Sequence, residues 1–132
     1  MLVVDASCLF EVVASTPRAE EVRAILREDD EQAAPHLLDA EVFGIIRKQH
    51  ELGHLDGTAA GQAVMDLRDW PGERFGHRPL LQRAWQLRAT VRGGDALYVA
   101  LAEALGATLL TADNRLARAP GPRCEIRLTP PQ

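Results

Sequence analysis

Apolar residues fall in short runs and helical stripes separated by Pro, Gly and acidic breaks. Leu2 to Val4 is a short aliphatic run that predicts a buried strand and stops at Asp5. Ala6 to Ala14 predicts a helix. Thr16-Pro17 predicts a restart, with Thr16 as N-cap and Pro17 at the first helical position. Arg18 to Glu28 continues it, with Val22, Ile25 and Leu26 as the apolar stripe. Glu28-Asp29-Asp30-Glu31 reads as a solvated end or turn. Pro35 opens a further helix to about Leu52, closed by Gly53. Asp56-Gly57 is a turn, Thr58 to Trp70 a helix, and Pro71-Gly72 its break. Pro79 to about Val91 is helical and ends at Gly93-Gly94. Asp95 to Leu105 is a helix stopped by Gly106. Thr108 to Thr111 is a strand, Asp113 to Arg118 a short helix, and Cys124 to Leu128 a last strand.

Strands alternating with helices predict an α/β domain with a mostly parallel sheet. At 132 residues the chain is one domain, spanning 1–128, with Thr129 to Gln132 as a frayed tail. Ligands of such sheets bind outside the carboxyl ends of the strands. Asp5 and Asp113 stand at those ends, Asp95 at a helix start, and Glu41 within two turns of one.

Composition narrows the setting. No apolar stretch approaches the roughly 18 residues that span a membrane. The N-terminus has no basic segment, and its apolar run is cut by Asp5, unlike a secretory leader. The expectation is a cytoplasmic protein without membrane contact. The formal charge of -4 disfavours nonspecific nucleic-acid binding by bulk electrostatics. Its basic residues are nevertheless almost all arginine, and Arg68, Arg74, Arg78, Arg83, Arg88 and Arg92 fall close together. Guanidinium groups suit phosphate, although a solvated helix face explains any one of them equally well. Cys8 and Cys124 sit in apolar surroundings and read as buried thiols.

One motif invites a different chemistry. His50-Glu51-Leu52-Gly53-His54 matches H-E-x-x-H, in which two histidines one turn apart bind zinc and the glutamate activates water. The match extends to Gly57, but the third-ligand position of the longer motif is Ala60. Both rings face one metal only if the helix continues through His54, and Gly53 is a helix stop. The segment reads better as a solvated helix end, with the histidines near the negative pole of the dipole. A zinc hydrolase on His50, Glu51 and His54 stays the less favoured alternative. His36 and His77 lack ligand spacing and read as structural or surface donors.

Asp5, Glu41, Asp95 and Asp113 carry the stronger signal. Taken singly, Asp5, Asp95 and Asp113 read as helix caps, and Glu41 as a surface acid favoured by a helix N-terminus. Taken together they differ. Glu41 lies among Leu37, Leu38, Val42, Ile45 and Ile46, and Asp95 begins an apolar helix. Ionised carboxylates in such places need partners, and no lysine lies near them in sequence. A hard divalent cation, Mg²⁺ or alternatively Mn²⁺, is the economical partner for an all-oxygen set.

Four segments resemble a known family: Val3-Val4-Asp5-Ala6-Ser7, Ala34 to Val42, Asp95 to Glu103, and Leu109-Leu110-Thr111-Ala112-Asp113. Their order and spacing resemble the PIN-domain ribonucleases, and among them the VapC toxins of bacterial toxin–antitoxin pairs. The resemblance implies a single Rossmann-like α/β/α domain with Asp5, Glu41, Asp95 and Asp113 around Mg²⁺ or Mn²⁺. Asp5 and Asp95 match the positions used most directly for metal, and Ser7 and Thr111 match small hydroxyls near the site. It further implies cleavage of single-stranded or looped RNA, a VapB-type antitoxin partner and a homodimer. Two features depart from the pattern. Arg92-Gly93-Gly94 precedes Asp95, and no second acid closely follows Asp113. A non-catalytic PIN-fold module that works through protein contacts is the alternative of a different class.

Overall fold

The computed structural model describes residues 1–129. Its centre is a five-stranded sheet: β1 (Leu2–Val4), β2 (Gln32–Pro35), β3 (Glu73–Phe75), β4 (Thr108–Thr111) and β5 (Ile126–Leu128). The order is β3-β2-β1-β4-β5, and every neighbouring pair is parallel. The registers Leu2↔Gln32 and Leu2↔Thr108 place β1 at the centre. Val3, Val4, Leu109 and Leu110 are fully buried, as strands covered on both faces require.

Between β1 and β2 run α1 (Ala6–Val13) and α2 (Ala19–Leu26). Then α3 (Leu37–Glu51) and α4 (Gly57–Asp69) lead to β3. The chain returns through a 3₁₀ turn at Arg78–Leu80, α5 (Leu81–Gln86) and α6 (Asp95–Leu105) to β4, and α7 (Asn114–Arg118) precedes β5. The first four helices pack among themselves, while α5 packs on α6 and α6 lies against β1, β2 and β4. The strand order reverses between β1 and β4. This reversal opens a crevice at their carboxyl ends, where open α/β sheets bind ligands.

The local signals explain most boundaries. Asp5 caps α1, and Gly106 closes α6 in the left-handed conformation at φ 63. Pro35 departs from expectation. It ends β2, where it pairs with Phe75, and the helix begins at Leu37. The N–H of Leu37 is met by His77 Nε2 at 2.9 Å. Neither β2 nor β3 is predicted by the pattern. Gln-Ala-Ala-Pro has low strand propensity, and β3 is a three-residue edge strand carrying Glu73 and Arg74. Thr16 does not cap α2. The helix starts later, at Ala19, and Thr16 Oγ1 accepts the Arg18 N–H from a preceding turn. The span from Pro79 to Val91 is a 3₁₀ turn plus a short α5 rather than one helix. Thr129 does not belong to a frayed tail: it is buried and donates its N–H to Thr111 O at 2.8 Å. Pro130, Pro131 and Gln132 lie outside the described residues. Among the described residues no helix is long and apolar enough to cross a membrane.

Candidate active site

Four elements deliver the acids to one cleft. Asp5 follows β1, Asp113 follows β4, Glu41 is on the second turn of α3, and Asp95 is the first residue of α6. All four line a cleft of about 480 Å³, together with Ser7, Gly44, Ile45, Lys48 and Tyr98.

Asp5 is the most fixed. Its Oδ1 accepts from Ser7 Oγ at 2.7 Å and from the Cys8 N–H at 3.1 Å, and its Oδ2 accepts from Thr111 Oγ1 at 2.5 Å. Thr111 Oγ1 in turn accepts the Asp113 N–H at 3.1 Å. One hydroxyl thus ties the end of β1 to the loop after β4. Ser7 and Thr111, singled out as small hydroxyls, both sit on Asp5. Cys8 is buried beside the Asp5 carboxylate, and burial, then that charge, push its thiol well up. It stays a neutral thiol.

Glu41 is half-buried and accepts from the Tyr98 hydroxyl at 2.7 Å. Asp113 is exposed and caps α7 through the Arg115 N–H at 2.8 Å. The cap reading therefore holds for Asp5 and Asp113 alongside their place in the cleft. It fails for Asp95, because Gly94 occupies the N-cap position without a side-chain bond. Burial, then the charges of Asp5, Asp113 and Glu41, raise the Asp95 carboxyl from 3.8 to about 6, with Arg92 opposing. Among the described residues none of the four acids is in an ion pair.

The donor set is therefore all oxygen, negatively charged and electrostatically coupled, which fits a hard divalent cation. The acids ring the cleft rather than close on a point. Among the described residues no three His, Cys, Asp or Glu side chains already form a complete ligand cage. A Mg²⁺ ion keeps several waters and asks for only one or two carboxylates.

A profile of the PIN domain matches residues 2–122. This chain belongs to the PIN-domain family. It is 43% identical over 130 residues to Ribonuclease VapC1 of Mycobacterium tuberculosis, covering 96% of both chains. Ribonuclease VapC12 of the same species is 38% identical over 128 residues, covering 97% of this chain and 98% of that one. The solved structure of VapBC2 from Rickettsia felis, bound to a DNA fragment from their promoter, aligns with a TM-score of 0.68 at 16% identity. That alignment covers 96% of this chain and 97% of the other. The single-domain, Rossmann-like α/β/α reading agrees with this family, and its mostly parallel sheet is parallel throughout.

The reading of His50 to His54 as a helix end holds in this PIN domain. The zinc motif is not assembled: α3 ends at Glu51, and Gly53 turns at φ 80. His50 Nδ1 pairs with Leu55 O at 2.8 Å and His54 Nδ1 with Gln49 Oε1 at 2.7 Å. Two arginines of the window, Arg74 and Arg83, are engaged within the fold, whereas Arg68, Arg78, Arg88 and Arg92 are exposed. Arg74 is bound to Asp39 and to the carbonyls of Leu67, Trp70 and Gly72, and Arg83 to Glu103 and Gly121 O. Arg68 pairs with Asp69, and Arg88 stacks 4.2 Å from the exposed Trp85 ring.

Two cleft residues were missed. Tyr98 follows Asp95 by three positions and Lys48 follows Glu41 by seven, both on one helix face with their acid. Helical periodicity would have found them. Lys48 is thus near Glu41 both along α3, two turns away, and in the cleft they both line.

Proposed function

We propose that this chain is a divalent-metal-dependent endoribonuclease that cuts single-stranded or looped RNA, the toxin of a VapBC-type pair. The observation that carries the reading is geometric: Asp5, Glu41, Asp95 and Asp113 come from four separate parts of the chain to line one cleft, and among the described residues none of them is in an ion pair. The 43% identity to a ribonuclease across nearly the whole chain supports RNA as the substrate.

In this proposal Asp5 and Asp95 would hold the ion, and Glu41 and Asp113 would complete the pocket. When bound, Mg²⁺ or Mn²⁺ would supply Lewis-acid polarisation of the phosphate and a more acidic water. The chain's own part is positional. Ser7, Thr111 and the Cys8 N–H fix Asp5, Tyr98 fixes Glu41, and a carboxylate orients the attacking water. A VapB-type antitoxin and a second copy of the chain complete the proposed assembly. The VapBC2 structure, named for both components, supports the first of these.

The test is cleavage of a labelled single-stranded RNA with Mg²⁺, with Mn²⁺ and with EDTA, for the native chain and Asp95→Asn. Metal-dependent cleavage lost in the variant is expected. Equal cleavage by both proteins would sink the acidic site. No cleavage by a folded native chain under any metal would leave the protein-binding module as the better reading.

A further inference from the structure

The acidic cleft has one cationic side chain on its wall, Lys48. It is the chain's one lysine, on α3 with Glu41 and seven residues beyond it. At the rise of an α-helix this spacing is about 10 Å, close to two full turns, so both side chains share a face. Among the described residues Lys48 makes no ion pair, although four carboxylates line the same cleft.

Gly44 lies between the two. A Cβ built there would meet nothing within 4 Å. Glu41, Gly44, Ile45 and Lys48 thus line the cleft along about two turns of α3, with open space at Gly44 between the acid and the lysine. Such polarity suits a polyanion anchored by a cation at the acids. The chain of phosphates leaves the acidic end and meets a positive charge about two turns away. A lysine fits this task better than an arginine. Its compact charge on a flexible stem follows a phosphate as a point contact, whereas a guanidinium fork clamps carboxylates bidentately and would compete for the acids.

We propose that Lys48 is a positioning residue that grips an RNA phosphate flanking the one being cut, an inference that rests on the endoribonuclease reading. Lys48 is exposed, so its loss leaves the fold intact.

The experiment compares native, Lys48→Ala and Lys48→Arg chains on a single-stranded RNA and on a dinucleotide that holds only the scissile phosphate. For the long substrate, Lys48→Ala is expected to raise KM about tenfold with kcat within about twofold. Binding of the same RNA, read by fluorescence anisotropy on an Asp95→Asn background, should lose about 0.7 from its log–log salt slope with Lys48→Ala, the share of one contact on a single strand. Lys48→Arg should retain most of that slope. The dinucleotide should be cut equally by native and Lys48→Ala, and melting temperatures should coincide. Unchanged KM and salt slope in Lys48→Ala, with native cleavage intact, would overturn this inference alone. A native chain that cuts no RNA would overturn the function and this inference together.

Discussion

The Tyr98 hydroxyl donates a 2.7 Å hydrogen bond to Glu41 Oε1 and so joins α6 to α3 across the acidic cleft. The ring is 1% exposed, and burial, then the bond to Glu41, push the phenol well above its ordinary range. It therefore remains a donor at any pH the fold survives. Tyr98→Phe keeps the ring and deletes the donor. It should cost about 1.5–3 kcal/mol in urea unfolding, the range for a bond to a charged group. The remaining carboxylate would lose its fixed orientation, so RNA cleavage should fall in kcat more than in KM. Equal kinetics for the two proteins would show that Tyr98 serves stability only.

Asp95 gives a pH dependence whose sign is opposite to that of a salt-bridged acid. Its carboxyl is raised from 3.8 to about 6 in the fold, chiefly by burial and then by Asp5, Asp113 and Glu41. The native state therefore binds the proton more tightly than the unfolded chain. The contribution favours the fold at low pH and is lost as pH rises through about 6. Asp95→Asn should stabilise the metal-free protein at pH 7 by on the order of 1–2 kcal/mol after allowance for solvent screening. The advantage should vanish near pH 4. Melting curves in EDTA at the two pH values decide it, and a stability gain at pH 4 equal to that at pH 7 would refute the electrostatic cause.

Thr111 Oγ1 donates to Asp5 Oδ2 and accepts from the Asp113 N–H while fully buried. Thr111→Val preserves shape and removes both bonds. A loss of about 1–3 kcal/mol is expected, because a buried carboxylate oxygen is left without its partner. Mn²⁺ affinity, followed by calorimetry, should fall in the same variant, whereas a purely structural threonine would leave it unchanged.

Arg83 pairs with Glu103 at 2.7 Å and also donates to Gly121 O at 3.0 Å, both partners lying beyond α5. Arg83→Ala should lower stability by about 1–3 kcal/mol. The salt dependence of RNA binding should stay as in the native chain. A flatter slope would return Arg83 to the group of phosphate contacts.

Gly94 approaches α3 so closely that a Cβ would lie 2.6 Å from Leu37 Cδ2 and 3.6 Å from Glu41 Oε2. Gly94→Ala should displace Leu37 and press on Glu41, lowering cleavage more than it lowers the melting temperature. This close approach gives a physical reason for the Arg92-Gly93-Gly94 departure before Asp95.

What was legible in the chain is what local physics controls. The strands at Leu2–Val4 and Thr108–Thr111 announce themselves as aliphatic runs, and α6 lies between Asp95 and a left-handed Gly106 as its stripe and stop require. The acids at strand ends and helix starts were visible as a pattern. That they share one cleft follows from the strand order, which local sequence does not encode. The two strands the pattern missed, β2 and β3, are made by pairing. Ala33 and Ala34 extend because β1 and β3 supply their ladders, and Pro35 ends a strand because Phe75 lies beside it.

By itself, then, the sequence determined the α/β alternation, most helix boundaries and the identity of the four acids, because propensity, caps and hydrophobic period act within a few residues. Only the tertiary structure decided that Asp95 lacks the cap role that Asp5 and Asp113 keep, and that Tyr98 is the partner of Glu41. It also turned Arg74 and Arg83 into ties between elements and set the one lysine on the wall of the acidic cleft. Those outcomes depend on which distant segments meet, and on the charge and burial that the meeting imposes.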